Sequence, residues 1–406
     1  FALVPSLALC HKKLDKKLVF TPRVKRFFVI LALAVIASYA VYIATQYRVN
    51  LGVVLPLVLS FAISFLLEKA KFKAYENSAR KKLASMPELK IIMITASFGK
   101  TSIKNFLFEL LKNDFVCRKT PRSVNTLAGL IQDVNNELAV GTQIYIAEAG
   151  ARLKGDIAQI TEFLSPHIAI VGEIGAQHIE YFKTLENIRA TKLEALRSKR
   201  LEKAFVHSRT QANEGEKIEI YDKDLSDVEA SLDGVKFKLG EREFASPLLG
   251  KFNAVNLAVC VKTALYLGLD EARIVSALSR LKNVEHRLER IDAGGKIIID
   301  DGFNGNFNGM SASYELVASY EGRKVLVTPG IMESSDEENE KLSKIINKTF
   351  DIVMLTSSLN AVALLKHLSR PKVIVIKDKS KMQEALAQNT RAGDLILFSN
   401  DAPSFM

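Results

Sequence analysis

Cysteine is scarce: Cys10, Cys117 and Cys260 are the only three in 406 residues. They are odd in number and far apart. That excludes a disulfide framework or a closely spaced metal knuckle, and predicts free thiols in a reducing compartment. Repeats and low-complexity tracts are missing too. No small-residue cleavage site stands out near the N-terminus and two apolar segments follow, so a cleaved signal peptide is not expected. The net charge is +11 and the pI about 9.3, but no aromatic-basic module accompanies them, and no nucleic-acid partner is expected.

Much of the positive charge flanks two apolar runs. Phe27 to Gln46 carries no charge over 20 residues, and Leu51 to Leu67 none over 17. At about 1.5 Å per residue the first spans a bilayer core and the second is just long enough. Tyr47 to Asn50 alone separate them, which predicts a tight transmembrane helical hairpin. Lys12, Lys13, Lys16, Lys17, Arg23, Lys25 and Arg26 precede it. Lys69, Lys71, Lys73, Arg80, Lys81 and Lys82 follow, and only Arg48 lies in the turn. The positive-inside bias therefore predicts a membrane-embedded N-terminus in the inner (cytoplasmic) membrane, with everything beyond it in the cytoplasm. The chain begins on Phe1 inside an apolar run, and is expected to be a fragment. Phe1 to Cys10 reads as the tail of an earlier span.

Residues 1–87 are thus expected to form the hairpin and a basic helical linker. From Glu88 apolar runs alternate with helical patterns. Strands are predicted at Ile91–Thr95, Gln143–Ala147 and His167–Val171. Helices are predicted at Thr101–Leu111, Leu127–Leu138 and Leu185–Leu196. This is the grammar of a doubly wound α/β domain, whose ligands sit beyond the carboxyl ends of the strands. It is expected over 88–284, with a small antiparallel insert at about 203–249. A second Rossmann-like α/β domain is expected over 285–406, with strands at Lys296–Ile299, Lys324–Val327, Asp351–Leu355, Lys372–Ile376 and Asp394–Phe398.

The stretch Ile91 to Phe106 carries the chemistry. A buried strand runs into Thr95-Ala96-Ser97-Phe98-Gly99, and Lys100-Thr101-Ser102 opens a helix. Such a loop offers N–H groups and a helix N-terminus to a phosphate; the lysine reaches the outer phosphates and the hydroxyl ligates Mg²⁺. The match is imperfect: Ala96 stands where glycine is usual, and is compatible only with a negative φ. Four further clusters follow in order. These are Thr120 to Gly129; Glu148-Ala149-Gly150-Ala151 after a strand; His178 to Phe182 with Ala190 to Glu194; and Gly250 to Asn256 with His286-Arg287-Leu288-Glu289 and Asp300 to Asn306. Taken singly, Glu148 would as readily cap a helix, His178 serve structure and Lys192 lie on a solvated helix face.

Together, from about Glu88 to the C-terminus, the five clusters resemble the Mur ligase superfamily. DDGFNGNFNGM and GIMESSDEENE narrow the likeness to the branch that joins D-alanyl-D-alanine to UDP-MurNAc-tripeptide in peptidoglycan synthesis. The resemblance implies an ATP-dependent amide ligase that works through an acyl phosphate, with ATP and Mg²⁺ as cofactors. Its substrates would be a nucleotide-sugar peptide and the D-Ala-D-Ala dipeptide.

The resemblance also implies roles. Lys100 matches the lysine on the β- and γ-phosphates, with Ser97, Gly99, Thr101 and Ser102 in the cradle. Thr101, Glu148 and His178 match metal ligands. Lys192 matches a lysine that the family carbamylates into an anionic oxygen donor. Asn256 matches the residue reading adenine, Arg287 a phosphate contact at the domain hinge and Asp301 a ribose-binding carboxylate. Asn304 and Asn306 match the nucleotide-facing loop. Phe98, Phe303 and Phe307 depart from the family pattern, and a membrane hairpin stands where the family usually carries a UDP-sugar domain. Two alternatives fit the same residues: another membrane-bound Mur-type amide ligase, acting on poly-γ-glutamate or a lipid-linked precursor, and a membrane scaffold with a decayed ligase domain.

Overall fold

The computed structural model describes residues 19–45, 54–122, 124–175, 179–303, 305, 307–331, 336–356, 364–376 and 378–400. Phe1 to Cys10, the turn Tyr47 to Asn50, His178, Asn304 and Asn306 lie outside the described residues. The chain divides into two compact units, Phe1–Lys82 and Leu83–Met406.

The first unit holds the helix Pro22–Thr45 and most of the helix Val54–Ala84. Pro22–Ala44 is long and apolar enough to cross a bilayer, and its side chains are not buried within the protein. It is the only described helix to meet that test; the apolar half of Val54–Ala84 runs straight into Glu68, Lys69 and Lys71. Arg26 donates to Glu68 Oε1 through Nε at 3.1 Å and Nη2 at 2.5 Å, tying the two helices together at the foot of their apolar stretches. The helical linker predicted after Lys69 is a direct continuation of the second helix.

The second unit is built on two 6-stranded sheets, one parallel and one mainly parallel, with a small antiparallel sheet beside them. In the first, β1 (Lys90–Thr95), β2 (Cys117–Lys119), β3 (Ile144–Glu148), β4 (Ile168–Val171), β5 (Lys203–Val206) and β6 (Ile218–Ile220) lie in the order β2-β3-β1-β4-β5-β6. Every pairing is parallel. Helices cover both faces, so Ile91–Ile94 and Ile168–Val171 are apolar at consecutive positions and not at alternate ones. Ile103, Phe106, Leu107 and Leu110 from the helix Lys100–Leu111 and Leu257 and Val261 from Phe252–Tyr266 pack with Ile92, Ile94, Ile144 and Ile146 in one core.

The antiparallel part is smaller than the sequence implied. Only β7 (Leu225–Ser231), β8 (Gly234–Leu239) and β9 (Arg242–Ser246) form the antiparallel sheet. Residues 203–220, assigned to the insert from their short length and polar turns, extend the main parallel sheet instead.

The second sheet contains β10 (Glu289–Ala293), β11 (Lys296–Asp301), β12 (Lys324–Thr328), β13 (Ile352–Leu355), β14 (Lys372–Val375) and β15 (Leu395–Ser399), in the order β10-β11-β15-β12-β13-β14. Only β10 runs antiparallel. Alternate residues serve opposite layers: Leu326, Leu395 and Leu397 on one side, Val325, Val327, Ile396 and Phe398 on the other. Leu249 and Leu288 join the first of these clusters, so the segments that connect the two sheets are anchored in the second core.

Candidate active site

In the first sheet the chain goes from β1 out to β2, returns through β3, and then crosses β1 to reach β4. The reversal opens a crevice at the carboxyl ends of β1, β3 and β4, where doubly wound folds bind ligands. Three loops meet there: the one after β1, Glu148 and its successors, and the one after β4.

The β1 loop turns through Gly99, whose φ of 79° is left-handed. Ala96 is not among the residues with positive φ, so the negative φ that an alanine requires is met. Glycines opposite accommodate both unusual loop residues. A Cβ on Gly172 would lie 2.9 Å from the Ala96 methyl, and one on Gly175 would lie 2.4 Å from the Phe98 ring. Ser97 ties the same loops together, its N–H donating to Glu173 O at 2.8 Å and its Oγ to Gly175 O at 3.0 Å. The larger side chains are thus absorbed by a close approach from the β4 loop.

Lys100 Nζ donates to Ala96 O at 2.6 Å and Ser97 O at 3.1 Å. Burial lowers its pKa to about 8; Glu148 opposes the shift and Arg287 adds to it. Thr101 Oγ1 donates to Glu148 Oε2 at 3.0 Å. Glu148, 1% exposed, is held from other sides as well. Lys104 Nζ is 3.0 Å from the same Oε2, Asn125 Nδ2 donates to Oε1 at 3.2 Å, and the Glu148 N–H donates to Thr120 Oγ1 at 3.2 Å.

Lys192 ends the helix Leu185–Lys192. It is not the solvated lysine its charged neighbours suggest: it is 4% exposed. Burial, then the Lys100 charge, lower its pKa to about 7 against the pull of Asp156 and Glu148. The lowered pKa favours the neutral amine, the form that reacts with CO₂.

Asn256, on the helix Phe252–Tyr266, donates to Asn253 Oδ1 at 3.1 Å and presses its Oδ1 on Gly99. Arg287 lies between two left-handed residues, His286 (φ 60°) and Leu288 (φ 53°). Each such non-glycine residue costs about 1–2 kcal/mol, so the backbone at this junction is strained. His286 Nδ1 lies 2.6 Å from Asp300, and the Phe303 ring meets the imidazole edge-on at 4.8 Å. Asp301 closes β11 and is 2% exposed.

The structure therefore gathers Ser97, Gly99, Lys100, Thr101, Glu148, Lys192 and Asn256 around one crevice, with the Arg287 charge felt at Lys100. Asp301 belongs to the carboxyl end of the second sheet. Among the described residues no three His, Cys, Asp or Glu side chains form a metal cluster. The donors present nevertheless suit Mg²⁺: a threonine hydroxyl and a buried carboxylate, both hard oxygen ligands, at a helix N-terminus. Sequence reasoning overlooked Lys104 and Asp156, and gave no role to Asn125. Lys104 was legible in principle, since it follows Lys100 by four residues and shares its helix face.

Comparison with known proteins agrees with this geometry. The Mur ligase middle domain matches residues 94–264, and the Mur ligase glutamate ligase domain matches 286–400. UDP-N-acetylmuramoyl-tripeptide–D-alanyl-D-alanine ligase of Bacillus subtilis is 28% identical over 331 residues, 76% of this chain and 72% of that protein. The enzyme of the same name from Borreliella burgdorferi is 26% identical over 319 residues, covering 72% and 64%. The crystal structure of MurF ligase from Thermotoga maritima in complex with ADP superposes with a TM-score of 0.69 at 25% identity, over 81% of this chain and 80% of that one. With both family domains present in order on the fold that carries this crevice, the chain belongs to the Mur ligase family.

Proposed function

We propose that the chain is an ATP-dependent ligase of the MurF type, adding D-alanyl-D-alanine to UDP-MurNAc-tripeptide through an acyl phosphate. One observation carries the reading: Glu148 at the end of β3 is held against Thr101 of the β1 loop, with two lysines of lowered pKa, the buried Lys192 and the part-exposed Lys100, beside them. The names of the relatives supply the substrates. The test is a coupled assay: ADP release must require both the tripeptide precursor and the dipeptide. Release that ignores either substrate counts against the reading.

Each residue has a part in this scheme. Gly99 and the N-terminus of the helix Lys100–Leu111 cradle the phosphates, flanked by Ser97 and Ser102. Lys100 leaves its loop carbonyls to neutralise the outer phosphate oxygens, and Arg287 adds charge from the junction between the sheets. Asn256 reads the adenine beside Gly99, and Asp301 grips the ribose, with Asn304 and Asn306 in the same nucleotide-facing loop. Thr101 and Glu148 would hold Mg²⁺, joined by His178 and by Lys192 once the latter is carbamylated. A cation held by these residues would supply charge neutralisation at the phosphate oxygens. Carbamylation converts the neutral Lys192 amine into an anionic oxygen donor, suited to a hard cation. The strained backbone at His286 and Leu288 is the hinge that carries the C-terminal lobe with the incoming amine. Proximity of amine and acyl phosphate accounts for much of the rate in such transfers.

The domains are assigned as 1–87, 88–284 and 285–406. The two family matches support the last two. The N-terminal segment is assigned as a transmembrane hairpin in the cytoplasmic membrane, with the catalytic domains in the cytoplasm. Its support is the exposed apolar helix Pro22–Ala44, the Arg26–Glu68 tie and the basic flanks. The same helix favours one alternative carboxylate substrate, a lipid-linked precursor; ADP release that requires that precursor and not the nucleotide-sugar peptide would select it.

A further inference from the structure

Lys104 is 1% exposed and its charge is paired inside the protein. A buried lysine is costly unless its ammonium is fully engaged. Its Nζ lies 3.0 Å from Glu148 Oε2 and also donates to the carbonyl of Arg122. Arg122 has a left-handed φ of 37°. One ammonium thus holds both the carboxylate at the end of β3 and a strained turn in the loop after β2. Asn125, from that loop, donates to the other carboxylate oxygen, and its backbone carbonyl accepts from Gly150 N at 2.7 Å. Thr101, one turn before Asn105 on the same helix as Lys104, donates to the oxygen that Lys104 faces.

We propose that Lys104 is a positioning residue of the metal–nucleotide site. It fixes the rotamer of Glu148 and locks the loop carrying Asn125 to it, so that the carboxylate is presented to the cation in one orientation. The inference rests on the Mur-type reading of the crevice. Lys104 does not itself touch nucleotide or substrate. An apolar side chain of similar length would fill the volume, but among the described residues would leave Oε2 with the Thr101 hydroxyl and take away the donor to the Arg122 carbonyl. Groups that orient a metal ligand typically contribute about 10–100-fold in metal affinity.

The test compares Lys104→Met with the unaltered protein in two binding measurements. One is Mn²⁺ affinity in the presence of ADP, read by electron paramagnetic resonance. The other is ADP affinity in EDTA, read by calorimetry. Mn²⁺ affinity is expected to fall at least about tenfold, while metal-free ADP affinity stays within about twofold. Unchanged Mn²⁺ affinity, or an equal fall in both, overturns the proposal. Failure of the unaltered protein to bind Mn²⁺ with ADP overturns the underlying reading instead. If Lys104→Met does not fold, hydrogen exchange on the unaltered ADP complex decides. Adding Mg²⁺ should slow exchange at Val124, Asn125 and Thr126 as well as in the β1 loop. Protection confined to the β1 loop overturns the proposal.

Discussion

Asn256 rests directly on Gly99: a Cβ added at the glycine would stand 2.5 Å from Asn256 Oδ1. The contact joins the phosphate loop to the helix Phe252–Tyr266, whose Asn256 lies more than 150 positions away in sequence. Gly99 is therefore required twice, for its left-handed φ and for this approach. Gly99→Ala should lose about 1–2 kcal/mol of stability from backbone strain alone, and ADP affinity should fall at least about tenfold as Asn256 is displaced. Thermal unfolding and calorimetry measure the two effects. Unaltered ADP binding would remove Asn256 from the nucleotide site.

The two lysines predict a bell-shaped profile. Lys192, held at about 7, must lose its proton to react with CO₂, so kcat/KM should rise with pH through that value. Lys100, held at about 8, must keep its proton to meet phosphate, so kcat/KM should fall above that value. Such profiles report groups of the free enzyme. Steady-state rates between pH 5.5 and 9.5, in buffers with and without bicarbonate, check both limbs.

The Lys192 shift also has a stability consequence. The unfolded amine has its ordinary value of 10.5 and the folded one about 7. Between those values the unfolded chain binds more protons, so the contribution of Lys192 makes stability rise with pH across that window. The penalty is fully present below about 7. Lys192→Met should be more stable than the parent at pH 7 and show a flatter rise, while losing ligase activity. Denaturant titrations at pH 7 and pH 9 measure the difference.

Tyr145 tests the scaffold apart from the chemistry. Its hydroxyl donates to Asp133 Oδ2 at 2.7 Å, and Arg118 Nη2 holds Oδ1 at 2.6 Å. Tyr145→Phe leaves a buried carboxylate oxygen short of a donor, which costs about 1–3 kcal/mol. The midpoint of urea unfolding should fall, with kcat unchanged. A fall in kcat at full stability would place Asp133 closer to the site than its contacts indicate.

Arg26 and Glu68 test the N-terminal hairpin. Deletion of residues 22–67, which removes both apolar runs, should move the protein from the carbonate-resistant membrane fraction to the supernatant. Reversing the pair, Arg26→Glu with Glu68→Arg, should keep it in the pellet, whereas Glu68→Arg alone should lower its yield there. A parent protein found in the supernatant would end the membrane assignment.

Much of this protein was decided locally. Runs such as Ile91–Ile94 and Leu395–Phe398 read as buried parallel strands because both faces are covered and every position is apolar. The loop Thr95–Gly99 with Lys100 and Thr101 announced its chemistry, because a strand, a tight turn and a helix N-terminus are set by neighbours in sequence. Other features depended on the fold. Cys117–Lys119 and Ile218–Ile220 are half-buried strands of 3 residues each, too short for an apolar pattern to mark them; they exist because a neighbouring strand offers its backbone. Lys192 and Lys104 carry the charge that usually signals solvent, and only the packing of distant segments buries them. Burial and the Lys100 charge lower the Lys192 pKa, and the carboxylate at the end of β3 draws Lys104 inward. Sequence alone therefore determined the apolar strands and the phosphate loop, while tertiary structure decided the orientation of the lysines around Glu148 and the lowered pKa of Lys100 and Lys192, because those depend on desolvation and long-range contact.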